Sequence, residues 1–314
     1  MAMVNRGIEP RFFFGDILKT SSQKQGAALV SVLSNTALVI AKLFIGLAIG
    51  SVSVISEAIH STVDLLASII AFFAVRKADQ PADEQHAFGH GKFENLSGTI
   101  EAILIFLAAG WIIYEAIHKL LVPIALDNPG YGIIVMAASA IANIAVSKML
   151  FRVGIKTDSI ALKADAWHLM TDVYTSTGVM AGLILIWLGE KVFIGFHFHW
   201  IDPVAAILVA LLIIKAAWKL TMESVSDLLD QSLPPEEEEW IRLRINSMRP
   251  RVHDFHHLRS RKSGSTRFVE FHIIVDSCMS VGQSHELNDT LVSEIKSRFP
   301  DSKIMIHIEP NTAN

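Results

Sequence analysis

Six apolar stretches dominate the chain before residue 223 and limit what it can become. They fall at about 27–50, 54–76, 95–121, 130–151, 160–188 and 201–222, each near the ~20 residues that a helix needs to cross a bilayer. Hydrophobic residues make up 51% of the 314, and the mean hydropathy is +0.42, as in membrane proteins. Two of the stretches carry the same polar interruption, His60-Ser-Thr-Val-Asp64 and His168-Leu-Met-Thr-Asp172. A spacing of four puts each histidine and its aspartate on one helix face, about a turn apart. Ionisable side chains at membrane depth cost about 3 kcal/mol each on insertion scales. The same costly pair on two helices points to a use.

The residue types indicate which use. Two imidazoles and two carboxylates form a four-ligand set suited to tetrahedral Zn²⁺. Neutral histidines with ionised aspartates supply two negative charges, so a bound dication leaves no net charge in a poor dielectric. Protein fills all four positions, whereas a catalytic zinc keeps one for water. That favours holding and releasing an ion over chemistry on a substrate. The alternative is a pair of interhelical His–Asp hydrogen bonds. No His-Glu-x-x-His occurs on any stretch, which argues against a membrane metalloenzyme.

Composition removes other classes. The net charge of −4 comes without a basic cluster, so nucleic acid is not an expected partner. The single cysteine, Cys278, excludes an internal disulfide and a thiolate cluster, leaving metal chemistry to histidine and carboxylate. Residues 1–25 are polar and charged, with Arg6, Arg11, Lys19 and Lys24, and read as a cytoplasmic tail rather than a cleavable signal. Arg76, Lys77 and Lys92 in one loop and Lys148, Arg152 and Lys156 in another share that tail's side. The opposite side offers little beyond Lys119 and Lys191, so both termini are expected in the cytoplasm.

Other polar residues of the apolar stretches (Asn35, Lys42, Glu57, Glu101, Glu115, Asn143) either line a wet path or hold helices together. Lys42 and Glu57 are the expected intramembrane ion pair. Ala41, Gly46, Ala48 and Gly50 suit close helix approach. In the loop after the second stretch, Asp83, His86 and His90 have the types of an oxygen/nitrogen metal site, with glycines on both sides of His90 to let the backbone turn. A solvated polar loop is the alternative there. His197 and His199, between aromatics in the loop before the sixth stretch, fit an interfacial aromatic belt.

After Leu233 the pattern changes. Pro234-Pro235 and the acids 236–239 start a helix expected to end near Met248. Strands are expected at 254–261 and 266–276, joined by residues 262–265. The second would put Val269, Phe271, Ile273 and Val275 on one face, with Glu270, His272 and Asp276 on the other. Leu287, Leu291, Ile295 and Phe299 mark a helix over about 283–299, and a last strand runs 303–309. The histidines of this region (His253, His256, His257, His272, His285, His307) are numerous, and His272 and His307 fall on polar strand faces where they can converge with Glu309. Such a cluster suits zinc.

These residues resemble the cation diffusion facilitator family, and most closely its bacterial zinc-exporting branch. The resemblance spans roughly 25–310 and rests on the phrases 56–64, Phe88-Gly-His-Gly-Lys92, 164–172 and His256-His-Leu-Arg-Ser-Arg. It implies a multi-pass α-helical membrane protein of six transmembrane helices (26–230) followed by a small cytoplasmic α+β domain (231–314). That domain would have the order αββαβ and be ferredoxin- or metallochaperone-like. It implies a homodimeric metal/proton antiporter of the bacterial inner membrane, exporting divalent cations with zinc foremost. By the resemblance His60, Asp64, His168 and Asp172 form the transport site, and Asp83, His86 and His90 a loop site. His256, His272, His285, His307 and Glu309 form a regulatory site, and Lys92 with Asp230 a charged pair that ties the dimer. Bacterial relatives often carry Asp where His60 stands, so the two-histidine version implies a narrower preference for zinc. Glu309 replaces an Asp of the bacterial pattern, and the long His-rich loop of some relatives is absent. The alternatives are a membrane-anchored sensor or storage protein, or an exporter preferring Cd²⁺, Co²⁺, Fe²⁺ or Mn²⁺.

Overall fold

The computed structural model describes residues 11–49, 52–121, 130–192 and 201–311. The expected turn at Gly50-Ser51 and the His197/His199 loop lie outside them. Six long helices come first: α1 (Arg11–Ile49), α2 (Val52–Ala78), α3 (Lys92–Leu121), α4 (Gly130–Lys156), α5 (Ile160–Val192) and α6 (Ile201–Leu228). Among the described residues, five are long and apolar enough to cross a membrane, within Thr20–Ala48, Ala58–Ala78, Lys92–His118, Ala137–Lys156 and Pro203–Leu228. The sixth, α5, runs for 33 residues. Leu33, Ile40, Phe44, Leu107, Trp111 and Leu212 are exposed, as befits helices whose solvent is lipid.

Small residues set the helix spacing. α5 packs against α2, α3 and α4, and its buried Ala161, Ala164 and Ala166 let the backbones come close. At Gly98 in α3 a Cβ would lie 2.6 Å from the Ser224 hydroxyl and 2.7 Å from Ile160. At Gly46 it would lie 2.8 Å from Ile55, so the small-residue stripe of α1 does serve close approach.

One difference concerns the N-terminal segment. The expected polar tail is already helical from Arg11. Lys24 is buried because its ammonium lies 3.0 Å from Glu94 and 3.2 Å from Asp79, on α3 and just beyond α2. A buried charge needs such partners, and they stand far from it in sequence. Ser159, at the start of α5, donates to the other oxygen of Glu94.

The C-terminal unit has its own core. Its elements are α7 (Pro235–Asn246), β1 (Asp254–Ser263), β2 (Thr266–Val275), α8 (Val281–Arg298) and β3 (Ser302–Pro310). β2 is central, antiparallel to β1 and parallel to β3. Val269, Phe271, Ile273 and Val275 pack on Ile241 and Ile245 of α7 and on Leu287, Leu291 and Ile295 of α8. Each such buried side chain contributes about 1.5–3 kcal/mol. A capping box between Ser280 and Gln283 starts α8, and Glu237 in the first turn of α7 takes both arms of Arg267 at 2.7 Å. The strand and helix boundaries agree with the alternation read from sequence to within two residues. One departure is a bulge in β1 between His256 and Arg259, where His257 adopts a positive φ of 54°.

Candidate metal centre

The helix pair α2/α5 brings His60, Asp64, His168 and Asp172 together by crossing the two motifs. His168 Nε2 lies 3.1 Å from Asp64 Oδ1, both side chains buried. His60 Nε2 lies 4.0 Å from Asp172 Oδ1. Ligand atoms of His60, Asp64 and Asp172 all lie within 4.8 Å of one another. Each aspartate thus meets the histidine of the other helix while the same-helix donors of α2 stay within reach of one ion. The set matches the tetrahedral nitrogen/oxygen chemistry of zinc. Nδ1 of His168 is buried and has no hydrogen-bond partner among the described residues.

A polar shell stands behind this group. Ser68, one turn from Asp64, donates to Asp165 Oδ1 at 2.8 Å, accepts from Asn35 at 2.7 Å and meets Ser31 at 3.1 Å. Asp165 precedes His168 by one turn of α5, and the sequence reading passed over it. Its signal was a second carboxylate in an apolar helix, within the phrase 164–172. Asn35 acts as helix glue here, as one of its two expected roles. Glu101 does not: its side chain is fully buried, and neither oxygen has a hydrogen-bond partner among the described residues. Lys42 donates to Ser61 at 2.7 Å, while the Glu57 side chain of the expected ion pair lies outside the described residues.

The loop between α2 and α3 gathers its three candidates. Asp83 Oδ1 accepts from the backbone N–H of His86 at 2.7 Å and of Gln85 at 3.0 Å. His86 Nδ1 lies 3.3 Å from Asp83 Oδ1, and His90 Nε2 3.2 Å from Oδ2. Gly89, at φ 90°, makes the turn that presents His90. The His90 Nδ1 faces the Pro81 carbonyl at 3.1 Å. A carbonyl only accepts, so Nδ1 carries the hydrogen and a neutral ring turns its Nε2 lone pair toward the Asp83 carboxylate. That arrangement is repulsive until a cation or a proton stands between them. The backbone N–H of His86 is the main cause that holds the Asp83 carboxyl below its ordinary value.

In the C-terminal unit, register builds the third group. His256, His272 and His307 are direct partners across β1, β2 and β3, and Glu309 follows two residues later on the same face of β3. Glu309 lies 2.8 Å from His272 Nδ1, 3.4 Å from His256 Nε2 and 3.7 Å from His307 Nε2. The His272 contact is the largest cause keeping its carboxyl below the ordinary glutamate value. His256, His272 and Glu309 can offer ligand atoms within 4.8 Å of one another. His285 is not among them: it is exposed on α8, 3.5 Å from Asp289. Asp230 pairs with Arg261 at 3.1 Å.

Comparison with known proteins agrees with this architecture. The cation efflux transmembrane domain model matches residues 28–229, and the model of the cation efflux protein cytoplasmic domain matches 233–311. An uncharacterized transporter of Synechocystis is 38% identical over 261 residues, covering 83% of this chain and 82% of that one. The cation-efflux pump FieF of Cronobacter sakazakii is 33% identical, covering 90% and 92%. The metal-bound C-terminal domain of the CzcD transporter from Thermotoga maritima is 33% identical, covering 25% of this chain and 91% of that one, with a TM-score of 0.24. A bundle of long apolar helices followed by a small mixed domain thus coincides with the two family models, and the chain belongs to the cation diffusion facilitator family of divalent-metal efflux transporters, not to the enzymes.

Proposed function

We propose that the chain is a zinc exporter that exchanges the metal for protons at His60, Asp64, His168 and Asp172. The observation that carries this reading is the crossed pairing of α2 and α5. At 3.1 Å, the His168–Asp64 contact is attractive when Nε2 bears a hydrogen. When the ring is the imidazolium, a metal ion that takes Nε2 leaves the hydrogen on Nδ1 and releases the Nε2 proton to water, so one pair of atoms serves both substrates in turn. Two imidazoles among four ligands favour zinc over manganese or ferrous iron, which take more oxygen. Alternating access then requires α2 and α5 to change their relation to the rest of the bundle.

The distribution of basic residues supports both termini in the cytoplasm of a bacterial cell, with the protein in the inner membrane. Two further groups belong to the same reading. Asp83, His86 and His90 hold a metal in the loop, and the cluster of His256, His272, His307 and Glu309 holds metal in the C-terminal domain. His285 is exposed on α8 beside Asp289 and outside the latter group within one protomer, so a second copy would supply it to a shared metal. This fits a homodimer drawn together by metal.

The test is flux into proteoliposomes under a pH gradient, comparing zinc, cadmium and manganese for the native chain and Asp64→Ala. Zinc uptake should need the gradient and fall by on the order of 100-fold or more in the variant, since even an outer-shell partner of a metal ligand is worth 10–100-fold. Binding without flux would overturn transport. Cadmium or manganese moving faster than zinc would overturn the zinc preference.

A further inference from the structure

Consecutive residues of a strand point to opposite faces, yet His256 and His257 of β1 both touch His272 of β2. Their ring centroids lie 5.1 and 5.2 Å from that of His272 and 4.7 Å from each other. The bulge makes this possible. Phe255 and Leu258 both pack against the domain core, so two residues rather than one separate them on the polar face. The extra residue is His257, held at φ 54°, a conformation that is strained for a residue with a Cβ. His257 is exposed, and among the described residues it makes these ring contacts and no hydrogen bond or ion pair. Nothing in the packing of the domain uses its imidazole. Strain of this kind collects where a site must present a particular group.

The neighbouring donors lack a member. His256, His272 and Glu309 bring three ligand atoms within reach of one ion, whereas a structural tetrahedral site takes four from protein. We infer that His257 is a metal ligand of the C-terminal domain, the imidazole that completes a three-histidine, one-carboxylate centre with His256, His272 and Glu309. This rests on the reading that the domain holds a dication. It adds that the bulge exists to turn two successive histidines toward one ion. His307, 3.7 Å from Glu309, is then left for a second ion beside the first. A centre dominated by nitrogen discriminates against the hard cations that prefer oxygen, so the bulge would also make the domain selective for zinc-like ions.

The replacement His257→Gly separates ligand from scaffold, because glycine adopts positive φ without strain. The experiment uses the full-length protein carrying Asp64→Ala and Asp83→Ala, which removes a ligand from each of the other two groups. Zinc affinity is measured by titration, and coordination by the visible absorption of bound Co²⁺, intense when four-coordinate and weak at higher coordination. Metal-free thermal stability is the third measurement. His257→Gly should leave that stability equal or higher, weaken zinc binding by roughly 10- to 100-fold and dim the cobalt spectrum. Unchanged affinity and spectrum in His257→Gly would overturn the assignment while leaving the site intact. Failure of the parent protein to bind zinc at all would instead overturn the reading on which it rests.

Discussion

The group between α2 and α5 and the group on the C-terminal sheet use the same two side-chain types, but their frames differ. On the sheet, His256, His272 and His307 stand in one row because backbone hydrogen bonds fix the register of three strands. A one-residue slip would turn them into the core, so their spacing is as firm as the sheet. Among the described residues no backbone hydrogen bond links α2 to α5; side-chain packing, the His–Asp contacts and the Ser68–Asp165 hydrogen bond relate them. Helices that touch only through side chains can shift as bodies. On the proposed reading, the rigid group suits measuring metal and the shiftable one suits moving it.

The most severe way to break this contrast is to exchange the damage. Asp172→Ala should abolish zinc flux in proteoliposomes while zinc binding by the C-terminal domain persists. The double variant His272→Ala/Glu309→Ala should retain maximal flux but need a higher zinc concentration to reach it. Equal loss of maximal flux in both would erase the division of labour.

A smaller effect lies in pH. The Glu309 carboxyl is held below its ordinary 4.5, chiefly by His272, so it remains ionised wherever imidazoles titrate, around 6.5. Zinc affinity of the C-terminal group should therefore fall as pH drops from about 7.5 to 5.5, with a slope that counts imidazoles and no carboxylate. Titration calorimetry in buffers of different ionisation enthalpy reads that proton count. The sign for stability is separate. A carboxyl lowered on folding stabilises above its unfolded value, and that contribution disappears as pH falls through the lower folded value. Metal-free domain stability should thus lose the Glu309 contribution only below pH 4.5.

The smallest effect sharpens the comparison from the scaffold side. Ser280→Ala removes the capping box of α8 and should cost about 1 kcal/mol in the unfolding of the C-terminal unit. It should leave zinc flux under saturating metal unchanged, and chemical denaturation followed by tryptophan fluorescence alongside a flux assay would check both.

The sequence disclosed elements more readily than relations. Helices and strands could be read because a period of 3.6 or 2 in hydrophobicity is local, as in Leu287, Leu291 and Ile295 or in Val269, Phe271 and Ile273. All four residues of the α2/α5 group were legible from their cost at membrane depth. Interhelical His–Asp pairing was legible only as the alternative to a metal cage, because local spacing shows which residues share a helix face and not that the contacts and the cage coexist. Burial of Lys24 was invisible for the same reason: its partners Asp79 and Glu94 come from distant segments. The bulge at His257 escaped because one inserted residue interrupts an alternation without leaving a glycine or proline to mark it. His285, grouped with the sheet histidines by resemblance, sits apart in the protomer because helix α8 carries it.

The crossed pairing has a mechanical consequence. Sliding α5 along α2 by a single turn, about 5.4 Å, would undo both His–Asp contacts and leave each helix's metal donors as only its own histidine and aspartate. One cage of four would become two forks of two. An ion seated in the cage is thus a rivet through both helices, and letting go of it is a matter of shearing the joint, not of loosening ligands one by one. The lifetime of the bound ion would then report the stiffness of the bundle, and substitutions at distant packing positions such as Gly98 or Gly46 would change that lifetime without touching a single donor atom.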